Sequence, residues 1–313
     1  MKILLYPHIY QNGGTGNVLR LYYLYKYIID KYRDTQILFT SNNIELAKKV
    51  IGSIGGQINI ENFNLKESFD TIIYDSPIYN KEKIKKLKKH GYKLIALDFF
   101  DYADRHVDII INLFNHKKEN IENFKGKIYE GLKYCILRND IINSKEKIIL
   151  EPNEKLNVLV TFGGEDPNSN TFEALSRIDY SKTTAKVILG YLNKDRDKII
   201  DKYSNKAEII DPTPHIGKLI SSSDLIICGG GTTLLESIYL GNPIITIPQN
   251  QQEKHFIDYV RRQAPLFNIN DLATLIEQVR ETSFRNNIRN KYEKVMDKKG
   301  IERICQLVVG GKN

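Results

Sequence analysis

The chain has no tryptophan, only three cysteines in 313 residues, and no apolar stretch near the ~20 residues of a membrane span. Cys135, Cys228 and Cys305 are odd in number and far apart, and no CxxC pair occurs. Neither a disulfide framework nor a zinc ribbon is supported, and a reducing cytosol is the simple expectation. HExxH and clusters of His or Cys are missing, so no metal site is expected, and no cofactor is implied. The opening run MKILLYPHIY is interrupted at Pro7, short of the apolar core that a signal peptide needs. A cytoplasmic location follows as an expectation, with any membrane contact peripheral, at the inner face. The missing tryptophan by itself excludes nothing.

What is present is a mild basic excess. Lys+Arg 46 against Asp+Glu 38 gives +8, which suits an anionic ligand or an anionic surface. It is too mild for a nucleic-acid partner, and no arginine-rich arm accompanies it. The length fits two domains of roughly 150 residues, and a hydrophobic fraction of 41% is enough for two cores.

Short apolar runs alternate with helical patterns along the whole chain. Ile3–Tyr6, Gln36–Thr40, Thr71–Tyr74, Leu94–Leu97 and Val107–Ile111 read as strands. Val18, Leu21, Tyr22, Tyr25, Ile28 and Ile29 recur at helical spacing, Ile44–Ile51 reads as a helix, and Lys81–His90 reads as an amphipathic helix with a lysine-rich wet face. The polar stretch Arg138–Asn157 reads as the join between domains. Beyond it, Asn157–Phe162, Lys186–Gly190, Glu208–Ile210, Leu225–Cys228 and Pro243–Ile247 are again apolar runs, and helices near Phe284–Met296 and Gly300–Val308 close the chain. The pattern predicts α/β architecture: two Rossmann-like, doubly wound parallel sheets facing a cleft. The expected domains are 1–145 and 146–313, the last helix packing back on the first. Ligands of such sheets bind beyond the carboxyl ends of the strands.

Four strand-end loops carry candidate chemistry. The first contains Gly14, Thr15, Gly16 and Asn17 and enters a helix at Val18. Its glycines either bring backbone N–H groups to an anion or simply make a tight turn. It is neither a dinucleotide fingerprint nor a Walker loop, since Leu19 stands where a small residue is needed. The second runs Gly229, Gly230, Gly231, Thr232, Thr233 into a helix carrying Glu236, a cradle for a diphosphate. Glu236 either accepts from ribose hydroxyls or acts as a favourable charge in the first helical turn. Glu236→Ala is expected to weaken diphosphate binding and leave folding intact. The third is Phe162, Gly163, Gly164, Glu165, Asp166, Pro167, in which Asp166 and Pro167 read as an N-cap and N1 pair. The fourth places Asp75 at a strand end, as a general base or a helix cap, and His8 after the first strand is a second candidate base. Asn250 and Gln251, after the last apolar run, complete the residues expected at the ligand.

The run Gly14-Thr15-Gly16-Asn17-Val18-Leu19-Arg20-Leu21 resembles the Gly-x-Gly-His-x-x-Arg opening of the PseG/SpsG-like UDP-sugar hydrolases of pseudaminic acid synthesis. Asp75-Ser76, Leu97-Asp98, and Asp108 with Asn112 are similar to that family's middle section. Glu130–Arg138 resembles its Gly-x-x-Tyr-x-x-Leu-Arg segment. Phe162–Pro167, Gly230–Glu236, Gly241-x-Pro243 and Asp297–Ile304 follow in order, over nearly the whole chain. The C-terminal half is also similar to MurG-type transferases of glycosyltransferase family 28. The resemblance implies a GT-B fold and a nucleotide-sugar, UDP-linked, as the partner. The family's catalytic His falls on Asn17, which cannot take a proton at neutral pH but can hold a water or a phosphate oxygen. A glycosyltransferase acting on an unknown acceptor is therefore the first expectation, a UDP-sugar hydrolase the second, and an inactive nucleotide-sugar binding protein the third.

Overall fold

A computed structural model describes residues 1–9, 15–62, 67–76, 80–89, 91–98, 106–113, 124–145 and 154–309. The chain forms two compact units, Met1–Ile136 with Lys298–Asn313, and Leu137–Asp297.

In the first unit the strands are β1 (Lys2–Pro7), β2 (Gln36–Phe39), β3 (Thr71–Asp75), β4 (Lys93–Leu97), β5 (Ile109–Asn112) and β6 (Lys127–Glu130). The helices are α1 (Gly16–Lys31), α2 (Ile44–Gly52), α3 (Lys81–Lys88) and, from the end of the chain, α12 (Gly300–Val309). All strands pair in parallel in the order β2-β1-β3-β4-β5-β6. Successive side chains of a strand face opposite sides, and β1 uses both. Ile3 and Leu5 join Val18, Leu21 and Ile28 of α1, Ala47 and Ile51 of α2, and Ile301, Ile304 and Val308 of α12. Leu4 and Tyr6 join Ile84 and Leu87 of α3 on the other face. The strands lack an apolar–polar alternation because neither face is wet. The edge strands β2 and β6 are partly exposed, as edges allow, and the KIYE sequence of β6 escapes a search for apolar runs.

The second unit holds β7 (Leu156–Thr161), β8 (Thr183–Ile188), β9 (Ala207–Ile210), β10 (Leu225–Cys228) and β11 (Ile244–Thr246), parallel in the order β11-β10-β7-β8-β9. Its helices are α4 (Asn139–Ser144), α5 (Asn170–Arg177), α6 (Arg196–Tyr203), α7 (Ile216–Ser221), α8 (Thr232–Leu240), α9 (Gln251–Arg261), α10 (Leu272–Val279) and α11 (Thr282–Glu293). Val158, Val160, Val187, Leu225 and Ile227 form a core with α5, α6 and α10. Part of the polar stretch read as a join is α4, which packs on α7 and α8 within the second unit.

Strand order reverses between β1 and β3 in one sheet and between β7 and β10 in the other. Such switch points are where open parallel sheets take ligands. The loops singled out in the sequence leave the carboxyl ends of those four strands. Among the described residues no helix is long and apolar enough to cross a membrane.

The close of the first unit has a steric test. A Cβ on Gly300, at the start of α12, would lie 2.0 Å from the Cys135 carbonyl oxygen and 2.8 Å from its carbon. Gly300→Ala is expected to cost ~1–3 kcal/mol of stability, the scale of overpacking, read as a lower denaturant midpoint. An unchanged midpoint would contradict this packing.

Candidate functional site

At the switch point of the first unit, Asp75 ends β3 beside Pro7 of β1, and His8 N–H donates to its carbonyl at 3.0 Å. Asn17 and Arg20 lie three residues apart at the start of α1, on one face of it. Arg20 grips Asp75 at two points, Nε to Oδ2 at 2.8 Å and Nη2 to Oδ1 at 2.6 Å. Its Nη1 donates to Oδ2 of Asp98, which follows β4 with φ +49°. Asp75 is fully buried; Arg20 and Asp98 keep a little exposure. Burial pushes the Asp75 carboxyl up to about 6, the charge of Arg20 opposes that, and Asp98 adds to it. The Asn17 amide donates to the His8 carbonyl at 2.7 Å and the Asp75 carbonyl at 3.3 Å, while its Oδ1 accepts from Val18 N–H. Both amide hydrogens thus tie the ends of β1 and β3 together. The His8 ring lies 6.1 Å from that of Tyr74 and 6.4 Å from that of Tyr6, and burial lowers its pKa. Thr15 and Gly16 open α1 without a side-chain cap, and Gly14 lies outside the described residues.

At the switch point of the second unit, Phe162 is buried at the end of β7, and Gly163 has φ +75° and an open side. Gly164 stays close to the neighbouring loop: a Cβ on Gly190 would lie 2.2 Å from its carbonyl oxygen. Asp166 was expected to cap a helix directly, with Pro167 at N1. The helix instead starts at Asn170, and the Asp166 carboxylate reaches forward to the N–H groups of Asn170 and Thr171, both at 2.9 Å, and to the Thr171 hydroxyl at 2.6 Å. Asp166 itself takes φ +48°, a conformation its short side chain tolerates better than most.

The glycine loop after β10 divides its labour. A Cβ on Gly229 would meet Gln249 and Glu253 at 2.9 Å, and one on Gly230 would meet the Glu253 Cβ at 2.9 Å. These two glycines make room for the first turn of α9. Glu253 Oε2 then accepts from Gly230 N–H and Gln249 N–H, both at 2.9 Å. Gly231 has open space beside it and Thr232 and Thr233 are half-buried. Among the described residues, no side chain caps the α8 N-terminus they form. Asn250 caps α9 by accepting from Glu253 N–H at 2.8 Å, and Gln251 is exposed beside it. Asn168 donates to the Gln249 carbonyl at 2.7 Å, joining the β7 loop to this one.

Glu236, one turn into α8, is buried. Arg138 Nε donates to its Oε1 at 2.7 Å, and Nη2 forms an ion pair with the same oxygen at 2.7 Å. Its Oε2 is buried with no hydrogen-bond partner among the described residues. Burial pushes the Glu236 carboxyl up, and Arg138 pulls against that.

Arg20, Asp98 and Arg138 stand out in the sequence only through the family resemblance, and Glu253 does not stand out at all. For Arg20 and Asp98 a signal existed, the i,i+3 spacing from Asn17 and a carboxylate at a strand end. For Arg138 and Glu253 only the fold supplies the partner.

Residues 145–301 match the family described as Glycosyltransferase family 28 C-terminal domain. An uncharacterized protein of Methanocaldococcus jannaschii is 27% identical over 287 residues, covering 82% of this chain and 55% of that protein. The spore coat polysaccharide biosynthesis protein SpsG of Bacillus subtilis is 26% identical over 133 residues, 41% of this chain and 39% of SpsG. The chain thus spans about half or less of the curated relatives it matches. Two solved structures share the fold at 11% identity: MurG of Acinetobacter baumannii (TM-score 0.64) and the UDP-GlcNAc 2-epimerase of Neisseria meningitidis bound to UDP-GlcNAc (TM-score 0.66). Each covers 99% of this chain and 100% of its own. The architecture is GT-B.

Asp75 offers a titration with opposite signs. Arg20→Gln removes the charge that holds its carboxyl down, so the midpoint should rise by about 1–3 pH units. Asp98→Asn removes a repelling charge, so it should fall. Carboxyl carbon NMR reads both, and equal shifts of one sign would contradict the triad.

Proposed function

This chain belongs to the Glycosyltransferase family 28 C-terminal domain family, and on that premise we propose that it is a glycosyltransferase using a UDP-sugar in surface polysaccharide or glycan synthesis. The observation that carries the reading is the pairing, on one helix, of an uncapped N-terminus after Gly231 with the unpartnered Oε2 of Glu236. The N-terminal N–H groups of α8 and its dipole suit a diphosphate, and the Thr232 and Thr233 hydroxyls add donors. A buried carboxylate oxygen with an open valence suits the hydroxyls of a ribose. Phe162, Gly163, Gly164, Asn250 and Gln251, on the neighbouring strand-end loops, would contact the rest of the nucleotide-sugar. The bond broken is the anomeric C–O bond. The diphosphate leaves stabilised by backbone N–H groups, without need of a metal. The epimerase bound to UDP-GlcNAc and the spore coat polysaccharide protein support the substrate class.

The first unit would act on the acceptor. His8, whose pKa burial lowers, is the candidate base for the acceptor hydroxyl. Asp75 can take that role only if Arg20 releases one of its oxygens; with both held, it fixes Arg20 and Asp98. Asn17 keeps the turn that carries these groups in place. The hydrolase reading stands second, favoured by the Gly14–Leu21 run, with Asn17 in place of the family's His.

Two measurements test the proposal. Glu236→Ala would strand the buried Arg138 and is expected to lower stability, contrary to the expectation from sequence, so Glu236→Gln is the cleaner variant. It should weaken UDP binding by ~1.5–3 kcal/mol in calorimetric titration, the scale of a charged hydrogen bond. Unchanged affinity would reduce Glu236 to a structural charge. Wild-type protein should release UDP from a UDP-sugar only when an acceptor is present, and Asn17→His should raise acceptor-free release. Brisk acceptor-free release by the wild type would replace the transferase with the hydrolase.

A further inference from the structure

The partner that holds Glu236 comes from outside the matched family segment, which begins at residue 145. Arg138 is the N-cap of α4, and α4 packs on α7 and α8 in the second unit. Arg138 and Glu236 are both more than nine-tenths buried. The grip is asymmetric. A guanidinium usually meets a carboxylate fork to fork, one N–H on each oxygen; here Nε and Nη2 converge on Oε1, and among the described residues Oε2 has no hydrogen-bond partner. A pair built for stability alone would satisfy both oxygens, because a buried unpartnered carboxylate oxygen is costly.

We propose that Arg138 is a positioning residue for nucleotide binding, which grips Oε1 of Glu236 so that Oε2 stands ready as the acceptor for a vicinal diol, the ribose of a nucleoside diphosphate. This rests on the reading of α8 as the nucleotide-binding helix. Arg138 does not touch the ligand. It acts by keeping Glu236 in the charged, strongly accepting form and by fixing which oxygen is offered. The groups around Glu236 agree with that task. Asp140 on α4 repels its charge, and Arg138 is the cation that acts against both Asp140 and burial. The Cys228 thiol at the end of β10 is kept neutral by burial and by the charges of Glu253 and Glu236. Of the other elements packed on α8, α11 carries Arg285, Arg289, Lys291, Tyr292 and Glu293, α7 carries Lys218, and β11 has no titratable group. Without Arg138 the carboxyl rises further, so more of it is protonated at a given pH and acceptor strength is lost; raising the pH restores it.

The test is calorimetric titration of the full chain with UDP and with dideoxyuridine diphosphate, which lacks both ribose hydroxyls. Wild type, Arg138→Met and Arg138→Lys are compared between about pH 6 and about pH 8.5, the range over which a raised carboxyl titrates. Taking the ratio of variant to wild type at each pH cancels protonation of the nucleotide itself. Arg138→Met should bind UDP about tenfold more weakly at the acid end, with the gap closing as pH rises. Arg138→Lys, which keeps the charge but loses the two-nitrogen grip, should show the same sign at about threefold. Both effects should vanish for the dideoxy nucleotide. A ratio that does not change with pH, or an equal loss with the dideoxy nucleotide, would make Arg138 a scaffold residue and overturn the proposal. If Arg138→Met does not fold, the Arg138→Lys profile decides in the same way. Wild type binding both nucleotides equally would instead remove the ribose role of Glu236, and this inference with it. Wild type binding neither would remove the nucleotide reading itself.

Discussion

A carboxylate buried at the end of a parallel sheet stays ionised only beside a cation, and both units of this protein are arranged around that constraint. In the first, Asp75 ends β3 with no solvent exposure, and Arg20 reaches it from α1. In the second, Glu236 is buried in α8, and Arg138 reaches it from the cap of α4. Breaking such a pair from one side leaves an uncompensated buried charge, which costs far more than the pair contributes. The positions of α1 and α4 are therefore tied to the switch points they serve. The two pairs differ in a way that bears on chemistry. Arg20 saturates both oxygens of Asp75, whereas Arg138 occupies one oxygen of Glu236 and leaves the other open.

The glycine loop shows a second division between structure and binding. Gly229 and Gly230 are glycines because Gln249 and Glu253 press against them. Glu253 also takes the Gly230 N–H. What remains for a ligand is the following turn, Gly231 to Thr233, at the start of α8. The loops after β7, β10 and β11 are linked through Asn168, Gln249 and Glu253, so the rim of the proposed nucleotide site is fixed before any ligand arrives. Such preorganisation is what stabilising a leaving diphosphate without a metal demands.

Most of the fold was legible in the sequence because parallel strands buried on both faces are short apolar runs with little alternative reading. Leu225–Cys228 appears in the structure with the bounds its apolar run suggests, and the others differ by a few residues at their ends. The failures have physical causes. The edge strand β6 is half polar, and α4 is a six-residue helix in a charged stretch, with Ile141 and Ser144 as its buried side chains. At the candidate sites, residue type and strand-end position led to Asp75, Asn17 and Glu236. Periodicity could not reveal that Arg20 and Arg138 would meet those carboxylates, since the partners lie 55 and 98 positions apart. Nor could it reveal that Asn17 would spend both amide hydrogens on backbone carbonyls.

The central claim is that a nucleoside diphosphate binds the second unit at α8, and a crystal structure of the protein soaked with UDP tests it most directly. Phosphate oxygens are expected within hydrogen-bond distance of the N–H groups of Gly231, Thr232 and Thr233, and ribose hydroxyls on Glu236 Oε2, with Arg138 still on Oε1. UDP bound away from α8, or with its ribose turned from Glu236 while Oε2 keeps no partner, would contradict it.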